Sequence, residues 1–248
     1  MNNIDMHNNI IEIRKLNKSF YGNGVLKDID LKVAKGSIHG LLGLNGAGKT
    51  TLVNILSGII RPDSGEILVD GMPASFGSPL DAKKAGIATI HQHLPMTSHI
   101  SAAEFLYLNT SIAGLSESFS SFSKMNKKCK VIFDELGVNF DPQTAISSLT
   151  VGQKQILQIA VALSLHPRLI LLDELFSVLT PVETEKFGKL FVDLKSKGTS
   201  TLMVTHNMAE ALRYCDEITI LKDGRLSAHL DDKETRSDDL IRAMTQND

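Results

Sequence analysis

Gly43-Leu44-Asn45-Gly46-Ala47-Gly48-Lys49-Thr50 stands between a short apolar stretch, Ser37 to Leu42, and a run that is apolar at helical spacing, Thr50 to Leu56. The octapeptide fits G-x-x-x-x-G-K-[ST], and a strand, loop, helix setting is the one that pattern requires. Glycines let successive backbone N–H groups turn toward one centre, and the helix that follows adds the positive end of its dipole. Lys49 can then bridge β- and γ-phosphates, while the Thr50 hydroxyl faces a metal ion. The implied chemistry is the grip of a nucleoside triphosphate by Gly43, Leu44, Asn45, Gly46, Ala47, Gly48, Lys49, Thr50 and Thr51.

Outward from this loop the chain keeps an α/β rhythm. Toward the N-terminus, Ile11 to Val33 alternates in short apolar runs broken at Tyr21 to Gly24, which predicts an antiparallel hairpin. Downstream come a turn at Pro62 to Gly65, a strand Glu66 to Val69, a short helix Asp81 to Lys84 and a strand Ile87 to Ile90. Ser101 to Leu136 is helical at both ends, and its Ser-rich Ser116 to Ser123, followed by Lys124, Lys127, Lys128 and Lys130, is read as a solvated loop. Then follow a helix Val151 to Ser164, a strand Leu169 to Asp173, a helix Pro181 to Lys197, a strand Thr201 to Thr205, a closing hairpin from Asp216 to Leu230 and a helix from about Glu234 to Met244. Strands separated by crossover helices predict a parallel sheet.

Composition narrows the classes. Lys plus Arg number 26 against 28 Asp plus Glu, a net charge of −2, so no overall cationic field exists to hold a nucleic acid backbone. Apolar runs such as Ile159 to Leu163 fall far short of the roughly 18 residues of a membrane span. Met1 to Asn9 is polar and Asn-rich, without the basic stretch and apolar core of a secretory leader, which predicts a chain that stays in the cytosol. Cys129 and Cys215 lie far apart with no metal-ligand spacing around them, which argues against structural zinc and against a disulfide framework.

Phosphate binding alone hydrolyses nothing; a metal-holding acid and a base are needed at the end of another strand. Leu169-Ile170-Leu171-Leu172-Asp173-Glu174 offers both: Asp173 for the Mg²⁺ shell and Glu174 to polarise an attacking water. Two acids after an apolar run are in most proteins a strand end facing solvent; the loop upstream changes that weighting.

From here the chain resembles the ATP-binding cassette (ABC) ATPases, over roughly Ile11 to Leu230. Leu149-Thr150-Val151-Gly152-Gln153 resembles the family signature Leu-Ser-Gly-Gly-Gln, which opens a helix and in the family completes the partner subunit's ATP site. By the same resemblance Gln92 touches Mg²⁺ and the attacking water, His206 contacts the γ-phosphate, Phe20 stacks on adenine, and Ser177-Val178-Leu179-Thr180 crosses a dimer interface. Alone, Gln92 and His206 would read as surface residues and Phe20 as core; their order and spacing carry the resemblance. It implies ATP and Mg²⁺ as ligands, the metal held through Thr50, Gln92 and Asp173, with Glu174, His206 and Gln92 catalytic.

The resemblance implies an α/β fold of the P-loop NTPase type: a core over 10–91 and 150–230 with an antiparallel β part, a helical subdomain over 92–149 and a C-terminal helix or tail over 231–248. Thr150, Val151, Thr180-Pro181 and His91-Gln92-His93 are most like ribose-type sugar and nucleoside importers. Those importers carry two cassettes per polypeptide, so the single cassette here is expected to pair with another copy or with a different cassette. The expected partners are integral membrane permease subunits, docking against His91 to Leu108, together with a substrate-binding protein, at the cytoplasmic face of the membrane. No nucleic acid partner is expected. Leu175-Phe176 replaces the family's Pro-Thr, which loses a fixed φ and a hydroxyl and raises a slow or weakly active cassette as an alternative. A soluble ABC ATPase of translation, repair or cofactor assembly is the other, and the absence of coiled-coil insertions or basic surfaces weighs against it.

Overall fold

Two long strands form the hairpin, β1 (Asn9–Phe20) and β2 (Asn23–Ala34), paired antiparallel with Ile13 opposite Leu31 and Phe20 opposite Asn23. The computed structural model describes residues 8–91, 99–111, 122–138 and 140–230. Ile11 and Ile13 turn inward from β1, and a register shift at Lys15, whose φ is +46°, changes the phase so that Leu16 is also buried. Beyond this pair lie β3 (Ile38–Leu42), β4 (Ser64–Val69), β5 (Met72–Ala74), β6 (Ile87–Ile90), β7 (Leu169–Asp173), β8 (Ser200–Thr205), β9 (Glu217–Lys222) and β10 (Arg225–Leu230). One antiparallel sheet runs β2-β1-β4-β5; a second runs β10-β9-β3-β8-β7-β6, parallel except for β10.

The helices are α1 (Lys49–Leu56), α2 (Pro79–Lys84), α3 (Ala102–Ser111), α4 (Phe122–Glu135), α5 (Val151–Ser164), α6 (Pro181–Ser196) and α7 (Met208–Tyr214). Side chains on a strand alternate between faces, so the central strands of the parallel sheet feed two cores. Leu169 and Leu171 of β7, Leu202 and Val204 of β8 and Leu41 of β3 face α1 and the antiparallel sheet. Ile170, Leu172, Met203, Ile38 and Leu42 face Phe187 and Phe191 of α6 and Tyr214 of α7. A third core joins Phe105 and Leu106 of α3 and Cys129 and Phe133 of α4 to Leu157, Ala160 and Val161 of α5. Because α5 also gives Ile159 and Ala162 to the second core, it is shared between the parallel sheet and the helical layer.

One expectation needs correction, and two elements were not anticipated. Residues Phe122–Glu135 are helical, so Lys124, Lys127, Lys128 and Lys130 belong to α4 and not to a loop: Met125, Cys129 and Phe133 recur at i, i+4, i+8 and bury one face. Strand β5 is too short to signal itself. Helix α7 was not anticipated, although Asn207 caps it by accepting from the N–H groups of Ala209 and Glu210. Residues Ser116 to Ser121 and the helix expected from Glu234 to Met244 lie outside the described residues. Both cysteines are free and buried, and burial pushes each thiol up to about 12. Among the described residues no helix is long and apolar enough to cross a membrane.

Candidate functional site

The C-terminal ends of β3, β6, β7 and β8 share one edge of the sheet, the place where ligands of open α/β sheets bind. After β3 the chain enters Gly43–Thr50. Three of its glycines are needed there for different reasons. A Cβ on Gly43 would stand 2.3 Å from the Leu221 carbonyl, Gly48 has φ +108° with Leu26 and Val25 against it, and Gly46, at φ +83°, faces open space. The loop is braced from the far end of the sequence: the Gly224 N–H donates to Ala47 O at 3.2 Å, and the Lys27 N–H to Gly224 O at 2.7 Å.

Lys49 is buried with its ammonium turned onto the loop, donating to Gly43 O at 2.7 Å and Leu44 O at 3.0 Å. Burial lowers its pKa, and the charges of Glu174 and Asp173 oppose that shift. Glu174 Oε1 lies 3.7 Å from Lys49 Nζ and 3.3 Å from His206 Nδ1, so one carboxylate oxygen joins the loop after β3 to the residue after β8. Glu174 is the turning point of its chain: its φ is +50°, its N–H donates to Val204 O, and a 3-10 turn, Leu175–Val178, follows. Glutamate in this left-handed region is strained. The turn is held from below by Leu175 and Phe176, both buried, with the Phe176 ring 5.7 Å from Tyr214 and 6.4 Å from Phe191. Leu175 and Phe176, which stand where the resembled family has Pro-Thr, anchor this turn by apolar packing, and the Ser177 hydroxyl adds a bond to Glu174 O at 2.7 Å.

Asp173 is buried at the end of β7 and accepts from the Thr50 hydroxyl at 3.3 Å. Burial raises its pKa, opposed by the Thr50 hydrogen bond. A carboxylate whose folded pKa is raised binds protons more tightly in the folded chain, so its contribution to stability falls as pH rises through that range. Asp173→Asn is accordingly expected to melt at a higher temperature than the parent at pH 7, and the two curves should converge below the ordinary aspartate range; an Asp173→Asn protein that melts lower at pH 7 would contradict this.

Thr150 N-caps α5: its Oγ1 accepts from the Gln153 N–H and Gln153 Oε1 accepts from the Thr150 N–H. Leu149 is buried in the helical core, while Val151 is exposed. Thr180 forms the same box with Glu183 at the start of α6, with Pro181 at the first helical position, which explains the Thr-Pro pair. Thr180→Ala should cost about 1 kcal/mol in urea unfolding, and no change in midpoint would refute the cap. The two caps adjoin: a Cβ on Gly152 would lie 3.7 Å from the Glu183 carboxylate.

The structure thus brings Lys49, Thr50, Asp173, Glu174 and His206 together and sets Leu149–Gln153 with the helical layer instead. Phe20, 39% exposed with Lys18 Nζ 5.4 Å above its ring, sits at the end of β1. Gln92 and Leu94 to Met96 lie outside the described residues. Sequence reasoning missed two buried glutamines of α5, Gln155 and Gln158, which bond the main chain of His91. It also missed Glu210, whose carboxylate accepts from Thr205 Oγ1 and Asn207 Nδ2 beside His206; the Asn-x-x-Glu spacing was the available signal.

A glycine loop feeding a helix, acids at the neighbouring strand end and an antiparallel sheet alongside define a nucleotide-binding cassette of the phosphate-loop class. In fold the chain is similar to a nucleotide-free ATP-binding cassette from an ABC transporter, with TM-score 0.80 at 22% identity, covering 91% of this chain and 93% of that one. It is also similar to the ATP binding subunit of an ABC transporter, with TM-score 0.78 at 28% identity, covering 94% and 92%. Residues 26–177 match the ABC transporter family, and the chain belongs to that family. The arabinose import ATP-binding protein AraG of Rhizobium johnstonii is 39% identical over 221 residues, 88% of this chain and 43% of that protein. The ribose import ATP-binding protein RbsA 2 of Burkholderia cenocepacia is 37% identical over 235 residues, 95% and 46%. The chain therefore spans less than half the length of these curated relatives.

Proposed function

We propose that the chain binds and hydrolyses ATP and that this powers import of a small solute, a sugar or nucleoside, through membrane permease subunits at the cytoplasmic face. The observation that carries hydrolysis is the placement of Glu174 Oε1 between Lys49 and His206, with the Asp173–Thr50 pair beside it. Glu174 is the general base: its carboxylate takes the proton from an attacking water, and the neighbouring Lys49 and His206 hold it in place. Lys49, freed from the Gly43 and Leu44 carbonyls, offers its charge to the phosphates, joined by the N–H groups of the loop and of Thr50 and Thr51. Phe20 serves the adenine ring.

A hydroxyl donating to a buried carboxylate suits a hard ion that keeps several waters, so Thr50 and Asp173 fit Mg²⁺, which Gln92 would join by the family resemblance. When bound, the ion supplies charge neutralisation at the phosphate oxygens.

Residues 10–91 and 150–230 form the catalytic core in this reading and 92–149 the helical subdomain. The adjoining caps at Thr150 and Thr180, flanked by exposed Val151 and Val182, form the face that meets a second cassette, where Leu149 to Gln153 completes the partner's ATP site. A groove of about 270 Å³ between the core and the helical layer, lined by Ile59, Lys83, His91, Phe105, Asn109 and Gln158, supports permease docking beside His91 to Leu108. The two relatives are both import ATP-binding proteins, which supports the transport class.

The test is affinity purification of tagged chain from gently solubilised membranes, with ATP turnover measured on the product. Stoichiometric polytopic permease subunits and ATP-dependent phosphate release support the reading. Recovery only with soluble ribosomal, repair or cluster-assembly proteins would replace it with a non-transport ATPase.

A further inference from the structure

His91 ends strand β6, and Gln92 follows it by one peptide bond. Both main-chain polar groups of His91 are bonded by one helix. The His91 N–H donates to Gln158 Oε1 at 3.2 Å, Gln158 Nε2 donates to Gln155 Oε1 at 3.4 Å, and Gln155 Nε2 donates to His91 O at 3.2 Å. These bonds form a closed ring with a single direction. Main-chain N–H and C=O have fixed identities, so flipping either side-chain amide would set oxygen against oxygen or nitrogen against nitrogen.

Gln155 is 2% exposed and Gln158 7% exposed, on the stretch of α5 that is otherwise given to Leu157, Ile159, Ala160 and Val161. Two amides in such a place destabilise the chain unless each is bonded. Their spacing of three residues puts them on one face of α5, facing β6. The same helix opens one turn earlier with Thr150 and the Leu149–Gln153 segment. His91 and Gln158 also line the groove between core and helical layer.

We propose that Gln155 and Gln158 are positioning residues that fix the His91 main chain to α5, so that the peptide from which Gln92 departs moves with the helix carrying Leu149–Gln153 and not with sheet strand β6 alone. This rests on the ATPase reading for its catalytic part and stands by itself for the clamp.

The test uses the full chain with Gln158→Met and Gln155→Met. Amide hydrogen exchange is measured at residues 87–91, and steady-state ATP turnover is measured in parental and Gln92→Ala backgrounds. Faster exchange at His91 is expected in both methionine variants, larger in Gln158→Met, which removes the acceptor of the His91 N–H, together with a roughly tenfold fall in kcat and little change in KM. That fall should vanish when Gln92 is already alanine, a non-additivity that a loss of general packing would not produce. Unchanged His91 exchange overturns the clamp. A kcat loss that persists in the Gln92→Ala background overturns the positioning role. A parental protein without ATP turnover removes the ATPase reading, while the exchange result still decides the clamp.

Discussion

Glu174→Gln is expected to lower ATP turnover by about 10²- to 10⁴-fold while ATP binding survives. The amide keeps the size and neutral hydrogen bonding of the side chain but cannot take a proton from water, so the loss falls on kcat and spares KM. The fold should tolerate it. Glu174 holds its left-handed conformation through the Val204 carbonyl, the Ser177 hydroxyl and the buried Leu175 and Phe176, none of which depends on charge. Removing the negative charge also leaves Lys49 with Asp173 as its remaining opposite charge, which releases the ammonium toward phosphate and favours a tightly bound, unhydrolysed state. Phosphate release at saturating ATP and retention of a fluorescent ATP analogue measure the two halves; turnover within about threefold of the parent would remove Glu174 from the role of base.

Gly188→Ala is expected to be strongly destabilising for so small a change. Helix propensity alone would make alanine better than glycine in mid-helix by about 1 kcal/mol. Here the sign reverses, because a Cβ on Gly188 would stand 2.2 Å from Cζ of the Tyr214 ring. That ring is buried, packed against Phe176 and bonded through its hydroxyl to Thr184 O, so overpacking costs about 1–3 kcal/mol beyond the lost propensity gain. Thermal unfolding should drop by several degrees, at roughly 2–4 °C per kcal/mol for a chain of this size. Since Phe176 underpins the turn after Glu174, ATP turnover should fall with it. Combining Gly188→Ala with Tyr214→Leu should restore part of the loss; a Gly188→Ala protein as stable as the parent would mean that the ring yields freely.

What the sequence made legible was what repeats. The alternation of β1 and β2, the apolar run ending at Asp173 and the octapeptide from Gly43 to Thr50 each state a period or a spacing, and each lies where that pattern put it. The predicted helix Val151 to Ser164 and strand Leu169 to Asp173 match the structure residue for residue. The failures are local and physical. Strand β5 has three residues, too few to show a sustained alternation. The lysines of α4 hid a helix because charge run and Ser-rich neighbour outweighed the buried face of Met125, Cys129 and Phe133. Gln155 and Gln158 were not singled out because nothing in a single sequence announces that a strand end 64 to 67 residues earlier will meet them. The strain at Glu174 is likewise a product of the fold around it and not of its neighbours in sequence.

The brace between Gly224 and Ala47 sets an order of events during synthesis. The glycine loop is made early, yet its shape depends on Leu221, packed on Gly43, on Gly224, bonded to Ala47, and on β9, which pairs with β3. A nascent chain emerging N-terminus first holds the whole phosphate motif long before it holds the residues that close it, and such long-range closure is slow. Chains halted before residue 217 should therefore carry an intact motif that grips no nucleotide, and the capacity to bind ATP doubles as a report that the last strands have been delivered.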